Sequence, residues 1–474
     1  MARIIVVDLD GTLIRTDTLV ENFFLYLRLF PLRFFWPLLW LMRGKVNLKH
    51  HLANVVIPDA SSLPYNLELV KWLKKEHKAG AKLILATAAD HRIAHAVFDH
   101  LGFFDDFIAT NKVNLSAQNK CRALVERFGE NGYEYMGNSK ADLPVWESAA
   151  VIHMVNPECG VSNAAKKLTG RQGISFQNKV FYFKILQKAL RLHQWLKNIL
   201  IFVPLVASHK IFEGTFALQG FLAFFIFSLC ASSVYLLNDL IDSPEDRKHP
   251  TKRNRPLASG TLPIMHALFL IPTLLIAAFT LAIWFLPWPF VAVLTGYYVL
   301  TLTYSLWLKR VVMLDVIMLS MLYTTRVIAG AEAMTLDVTF WILTFSTFVF
   351  LSLAMIKRYT ELIDARPKSI KEKTSGRGYY PADSDLLAVL GGASGFISVL
   401  VLALYINESA DKMLYQTPEW MWLALPLLLY WLSRAWLLAH RGDMHDDPIV
   451  FALKDKASLW VGALFLSIFI LATL

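Results

Sequence analysis

The chain has 474 residues, 55% of them hydrophobic, with a mean hydropathy of +0.44 and a formal net charge of +10. That length admits at least two domains, and that apolar content is too high for a wholly soluble protein. The three cysteines are scattered with no CxxC pairing, so neither a disulfide framework nor a zinc site is indicated; the positive charge fits anionic lipid headgroups and phosphorylated substrates, and no nucleic-acid-binding motif accompanies it.

The chain opens on Ile4-Ile5-Val6-Val7, a β-branched run that reads as a buried strand rather than a secretory segment. It ends in Asp8-Leu9-Asp10-Gly11-Thr12-Leu13. Two carboxylates two residues apart at a strand end can serve one Mg²⁺ and divide two roles: Asp8 attacks a phosphoryl group, and Asp10 protonates the leaving oxygen and later activates water. A strand over 83–86 then runs into Thr87, Lys120 follows a loop, and a strand over 133–136 runs into Gly137-Asn138-Ser139-Lys140-Ala141-Asp142. Strands alternating with helical stretches predict a parallel sheet with the active residues at its carboxyl edge, an α/β domain.

These elements, in this order, resemble the haloacid dehalogenase (HAD) superfamily. The resemblance implies that Thr87 and Lys120 hold the phosphoryl group and that Asp142 helps Asp8 and Asp10 hold Mg²⁺. Asn138 stands where the family usually has Asp; it offers a carbonyl oxygen and no charge. The insertion over 16–63 would be a helical cap. Residues 23–42 are apolar enough to cross a membrane by length, but Arg28, Arg33 and two prolines argue against a span. An interfacial cap, dipping into the headgroup region or packed on the membrane domain, is the expectation.

Residues 1–160 thus form the first domain. A Ser-, Asn-, Lys- and Gly-bearing stretch over 160–173 reads as a linker, and 176–192 as an amphipathic approach helix, so 161–189 joins the domains. From 190 to 474 apolar runs approaching bilayer length follow one another, from 190–207 to 459–474, predicting an all-α bundle of about nine transmembrane helices. Every second connection is basic (247–255, Lys309 with Arg310, 357–377, then Arg441, Lys454 and Lys456), whereas the alternate loops hold only Lys210 and Lys412. Lys and Arg near span ends favour the cytoplasm. This places the first domain and the basic loops there, in a bacterial-type inner membrane, with the C-terminus outside.

At the end of the second run stands Asn238-Asp239-x-x-Asp242-x-x-x-Asp246, and the basic stretch 249–256 follows it. Carboxylates bordering a membrane helix are costly, and a hard cation that also binds substrate phosphates resolves the charge. Lys252, Arg253 and Arg255 suit the same phosphates. Together these residues describe a Mg²⁺-diphosphate site at a membrane surface. The loop His440-Arg441-Gly442-Asp443-Met444-His445-Asp446-Asp447-Pro448 is a weaker metal candidate that reads equally well as a helix-terminating turn.

The acidic motif in such a bundle resembles the UbiA prenyltransferase superfamily, over about 190–474. Most members carry a second pair, DxxxD; here Asp315 is followed four residues on by Leu319. The runs Leu192-His193-Gln194-Trp195-Leu196-Lys197-Asn198, 249–257, Tyr304-Ser305-Leu306-Trp307-Leu308-Lys309, Arg326-Val327-Ile328-Ala329-Gly330 and Lys357-Arg358-Tyr359-x-Glu361-Leu362 resemble the polyprenyl-phosphate phosphoribosyltransferase branch. That resemblance implies phosphoribosyl pyrophosphate as donor and a polyprenyl phosphate as acceptor. An anionic acceptor needs no carboxylate base, whereas a phenolic or carbon acceptor would benefit from one. In this reading Asn238, Asp239, Asp242 and Asp246 hold Mg²⁺ on the pyrophosphate and the basic stretch stabilises the departing charge. Gln194, Lys197, Asn198, Tyr304, Lys309, Arg326, Lys357 and Arg358 are candidates for the remaining phosphates. The HAD domain would then remove the 5-phosphate from the lipid product. The competing expectations are a prenyltransferase using a prenyl diphosphate, with a regulatory HAD domain, and a non-enzymatic polyprenyl-lipid carrier. The oligomeric state is left open.

Overall fold

The computed structural model describes residues 3–111, 113–168, 171–177, 182–210, 213–365, 378–409, 415, 417–444 and 447–473. It divides into two compact units, residues 1–190 with 236–270, and residues 191–235 with 271–474.

The first unit is built on a six-stranded parallel sheet of β1 (Ile4–Val7), β2 (Lys82–Asp90), β3 (Asp106–Thr110), β4 (Glu134–Gly137), β5 (Val151–Val155) and β6 (Arg171–Phe176), in the order β3-β2-β1-β4-β5-β6. Alternation along the strands divides the core in two. Ile5, Val7, Leu83 and Leu85 face Leu69 and Leu73 of one helix, whereas Val6, Ile84 and Ala86 face Leu124 and Trp146 on the other side. This is the doubly wound, parallel α/β arrangement expected.

The stretch read as a linker is partly sheet. Residues 161–165 form a helix whose Val161 and Ala165 enter the core, and β6 pairs in parallel with β5. The reason it escapes pattern reading is that β6 is an edge strand, Arg-Gln-Gly-Ile-Ser-Phe, exposed along most of its length, so it carries no apolar alternation. The insertion is a helical cap of α1 (Thr18–Leu29), α2 (Phe35–Met42) and α3 (Lys45–Val55). Tyr26, Leu48, Leu52 and Val56 form its own small core.

Among the described residues eight helices are long and apolar enough to cross a membrane, or nine if a bent pair in the cap is counted as one. The first expected span, 190–207, is not a regular α-helix. It is a 3₁₀ segment, Leu192–Phe202, continued by a short helix, Val203–Ala207. Eleven residues rising about 2.0 Å each and five rising about 1.5 Å reach at most roughly 30 Å, and this segment is not among the eight. The 3₁₀ segment runs so close to the helix Leu314–Ala333 that a Cβ on Gly330 would collide with the Ile201 carbonyl. The acidic motif lies near the end of α4 (Gly214–Lys248), a helix of 35 residues.

Candidate functional sites

In the first unit the carboxyl ends of β1, β2 and β4 converge. Gly11 allows the chain to turn after Asp10, with φ +72° and a Cβ position filled by the Asn138 carboxamide. Asp8, nearly buried, accepts from the Lys120 ammonium at 2.7 Å, and Lys120 also reaches the Tyr135 hydroxyl at 3.0 Å. Tyr135 in turn donates to Asp142 at 2.8 Å. The other oxygen of Asp142 accepts from the Asn138 and Ser139 amides and from the Ser139 hydroxyl. Asp142, expected to hold Mg²⁺, is therefore a carboxylate whose oxygens already serve the loop and, through Tyr135, the lysine. Thr12 donates its hydroxyl toward Asp8 at 3.5 Å and Asn138 Oδ1 at 3.2 Å. Those two hard oxygens fit a Mg²⁺ ion with one charge fewer than two carboxylates would bring. Thr87 is buried, its hydroxyl accepting from the Ala89 amide at 3.0 Å.

Burial raises the Asp8 carboxyl to about 6 against the pull of Lys120. It raises Asp10 to about 8, helped by the charges of Asp17 and Asp8 and opposed by Thr18, whose amide donates to Asp10 at 2.7 Å. Burial would lower the Lys120 ammonium, but Asp8 and Asp142 outweigh it and raise it. The two carboxyls are thus separated near neutral pH, Asp8 largely ionised and Asp10 largely protonated. Pattern reading missed two participants. Tyr135 sits inside a strand with no motif to mark it. Lys49 of α3 reaches the Ala88 carbonyl at 2.6 Å and Asn114 at 3.1 Å, its ammonium lowered by burial and supported by Asp10 and Asp17.

The same unit contains the acidic end of α4. Asp239 and Asp246, seven residues apart and therefore on one helix face, share Arg255, at 3.1 and 2.6 Å. Asp242 lies between them in sequence and is partly exposed, as are Asn238 and Lys252; Arg253 is exposed. The expectation was a ready-made set of four metal ligands. Among the described residues no group of three or more His, Cys, Asp or Glu is arranged to hold a metal; two carboxylates converge instead on a guanidinium. Their donor chemistry fits Mg²⁺, with Arg255 occupying the position of the counter-charge. The next residue, Arg247, belongs to a different contact: buried with Glu21 of α1, it donates to it at 3.1 Å and to the Ala258 carbonyl at 2.8 Å.

In the second unit Lys197 and Lys357 are brought together on Asp447, at 2.8 and 3.0 Å, and the Tyr323 hydroxyl donates to both oxygens of the same carboxylate. Burial would raise the Asp447 carboxyl, but the two ammonium groups hold it far below the usual carboxylate range. In the sequence Asp447 stands out only as a member of the weak metal candidate over 440–448, of which His445 and Asp446 lie outside the described residues. Arg326 is buried and donates to Asn198 at 2.9 Å and to Tyr297 at 3.3 Å. Gln194, Tyr304 and Lys309 are partly exposed. Arg358, named above for phosphate, is fully enclosed: it meets Asp315 at 2.6 Å with both side chains at 0% exposure, and also pairs with Glu361. The Tyr379 hydroxyl donates to Asp315 at 2.5 Å. This corrects the expectation for Arg358, because its guanidinium is the counter-charge to Asp315 inside the bundle and is closed to a phosphate arriving from solvent.

The model of the UbiA prenyltransferase family matches residues 199–471, more than half of the chain, and the chain belongs to that family. A protein of Sinorhizobium fredii known only as uncharacterized protein y4nM is 37% identical over 99% of this chain and 90% of its own length. A Mycolicibacterium smegmatis protein named decaprenyl-phosphate phosphoribosyltransferase is 30% identical over 60% of this chain and 92% of its own. Among solved structures, a HAD family hydrolase of Salmonella enterica serovar Typhi aligns with 36% of this chain and 66% of that one, at 16% identity and a TM-score of 0.27.

Proposed function

We propose that the membrane half transfers 5-phosphoribose from phosphoribosyl pyrophosphate to a polyprenyl phosphate, and that the HAD half hydrolyses the 5-phosphate of the lipid product. The observation that carries this reading is the fate of Asp315. Locked to Arg358, it is not placed to deprotonate an acceptor, which favours an acceptor that arrives already anionic, as a lipid phosphate does. The name of the Mycolicibacterium relative supports the same choice.

In the transfer, Asn238, Asp239, Asp242 and Asp246 would hold Mg²⁺, which supplies charge neutralisation to the pyrophosphate leaving group. Lys252, Arg253 and Arg255 add positive charge there. The bond from C1 of ribose to the pyrophosphate oxygen breaks, an oxocarbenium-like carbon develops, and an oxygen of the lipid phosphate closes on C1. Lys197 and Lys357, whose separation Asp447 sets, would receive a phosphate. In the phosphatase half, Asp8 attacks phosphorus while Asp10 protonates the departing ribose oxygen; Asp10 then takes a proton from the water that cleaves the aspartyl phosphate. Lys120 offsets the charge on Asp8 and on the phosphoryl oxygens. Asp8 and Asn138 would hold Mg²⁺, which would supply further neutralisation.

The deciding experiment incubates the full chain with Mg²⁺, phosphoribosyl pyrophosphate and a polyprenyl phosphate, and identifies the lipid by mass. A phosphoribosylated or ribosylated lipid supports the reading. Turnover of a prenyl diphosphate alone would replace it with the prenyltransferase alternative.

A further inference from the structure

The cap exposes more large apolar side chains than a soluble surface tolerates. Leu32 is 93% exposed and Met42 85%, and Phe35, Trp36, Leu38 and Leu39 are each more than half exposed. They occupy the turn after α1 and α2 itself, while the opposite side of the cap packs through Tyr26, Leu48 and Leu52. This segment cannot be a span. Thr18–Leu29 and Pro31–Met42 meet at a bend of 120°, and the eight residues of α2 reach only about 12 Å of a hydrocarbon core of roughly 30 Å.

The root of this hairpin is fastened to a helix that enters the membrane. Arg28, in the last turn of α1, pairs with Glu245; Glu21 pairs with the buried Arg247; and Asp59, beyond α3, meets Lys248 at 2.8 Å. All three partners sit in the last turn of α4. The apolar run of that helix ends at Leu237, so Glu245 lies about 12 Å further along its axis, the depth of the headgroup layer. The exposed tip begins one residue after Arg28. Arg33, Arg43 and Lys45, all exposed, flank it with the charge that anionic headgroups attract.

We propose that residues 29–42 form a wedge embedded in one leaflet of the bilayer, with its apolar side chains among the acyl chains and Arg33, Arg43 and Lys45 at the phosphates. The occupant of the patch is lipid, because the patch starts at a contact on the end of a spanning helix and carries basic flanks. The consequence is that the phosphatase cap is tethered at the membrane surface, with α3 leading directly from the wedge to Lys49 beside the catalytic strands. The inference concerns where the cap sits and stands whichever reaction the chain performs.

The test uses full-length protein with Cys121, Cys159 and Cys230 replaced by alanine. Single cysteines are placed at Leu39 or Phe35, two independent sites in the wedge, and at Glu130, an exposed loop residue. Each is labelled with a small environment-sensitive fluorophore and reconstituted in vesicles of phosphatidylcholine and phosphatidylglycerol. Spin-labelled lipids are expected to quench the two wedge labels several-fold more than the Glu130 label, and aqueous iodide to do the reverse. Iodide quenching of the wedge labels equal to that at Glu130 would overturn the proposal. So would protection from both quenchers with cross-linking between copies, which would make the patch a protein interface.

Discussion

The buried pair of Asp315 and Arg358 offers the sharpest test of the membrane unit. Both side chains are at 0% exposure, 2.6 Å apart, so replacing Asp315 with leucine removes the enclosed counter-charge of the Arg358 guanidinium and leaves it the partly screened Glu361. Breaking such a pair costs about 3–5 kcal/mol, while replacing both partners with packed apolar residues is commonly neutral or stabilising by about 1–4 kcal/mol. At about 2–4 °C per kcal/mol for a unit of this size, Asp315→Leu is expected to lower the thermal transition of the membrane half by roughly 6–20 °C. The double variant, Asp315→Leu with Arg358→Met, should recover most of that loss, although Tyr379 and Glu361 each lose a partner. The assay is thermal unfolding in detergent, followed by pyrophosphate release at a temperature where both proteins are folded. The double variant should retain pyrophosphate release. If it is as stable as the unaltered chain but wholly inactive, Asp315 or Arg358 takes part in the chemistry, and the argument for an anionic acceptor fails.

Asp8→Asn should leave pyrophosphate release intact while the lipid product becomes heavier by one phosphate, as read by mass spectrometry. Identical lipids from both proteins would mean that the N-terminal half acts elsewhere. Asp242→Ala should abolish pyrophosphate release in protein whose thermal transition is unchanged, and Asp239→Ala should show its largest loss at low Mg²⁺. Phosphatase activity toward a small aryl phosphate should follow a bell in pH. Asp8 must lose its proton to attack, so activity rises through about 6; Asp10 must keep its proton to serve as acid, so activity falls above about 8. An alkaline limb that persists in Asp10→Asn, in whatever activity remains, would assign that limb to another group. Tags at the two ends should report opposite faces of sealed inverted vesicles, and equal protease access at both ends would refute an odd number of crossings.

Local pattern was enough for much of this protein. A β-branched run ending in Asp8-Leu9-Asp10 specifies a buried strand that delivers two carboxylates to one place, because strand direction and turn chemistry are set by neighbours in sequence. The same holds for Asp239, Asp242 and Asp246, which helical periodicity alone places along one side of α4, and for the long apolar runs that only a bilayer can receive. Even the cap's apolar tip was visible in composition, though not the bend that stops it from spanning. Partnership between charges was not legible. Lys197 finds Asp447 from 250 residues away and Lys357 from 90; Arg358, adjacent in sequence to Lys357, turns instead to Asp315. Two neighbouring cations thus receive opposite fates, one beside a shared carboxylate and one sealed in the core. Nothing in their shared run distinguishes them, because the energy that decides is the cost of leaving a charge unpaired in a low-dielectric interior. That cost depends on which helices pack together, and so it was decided only when the chain folded.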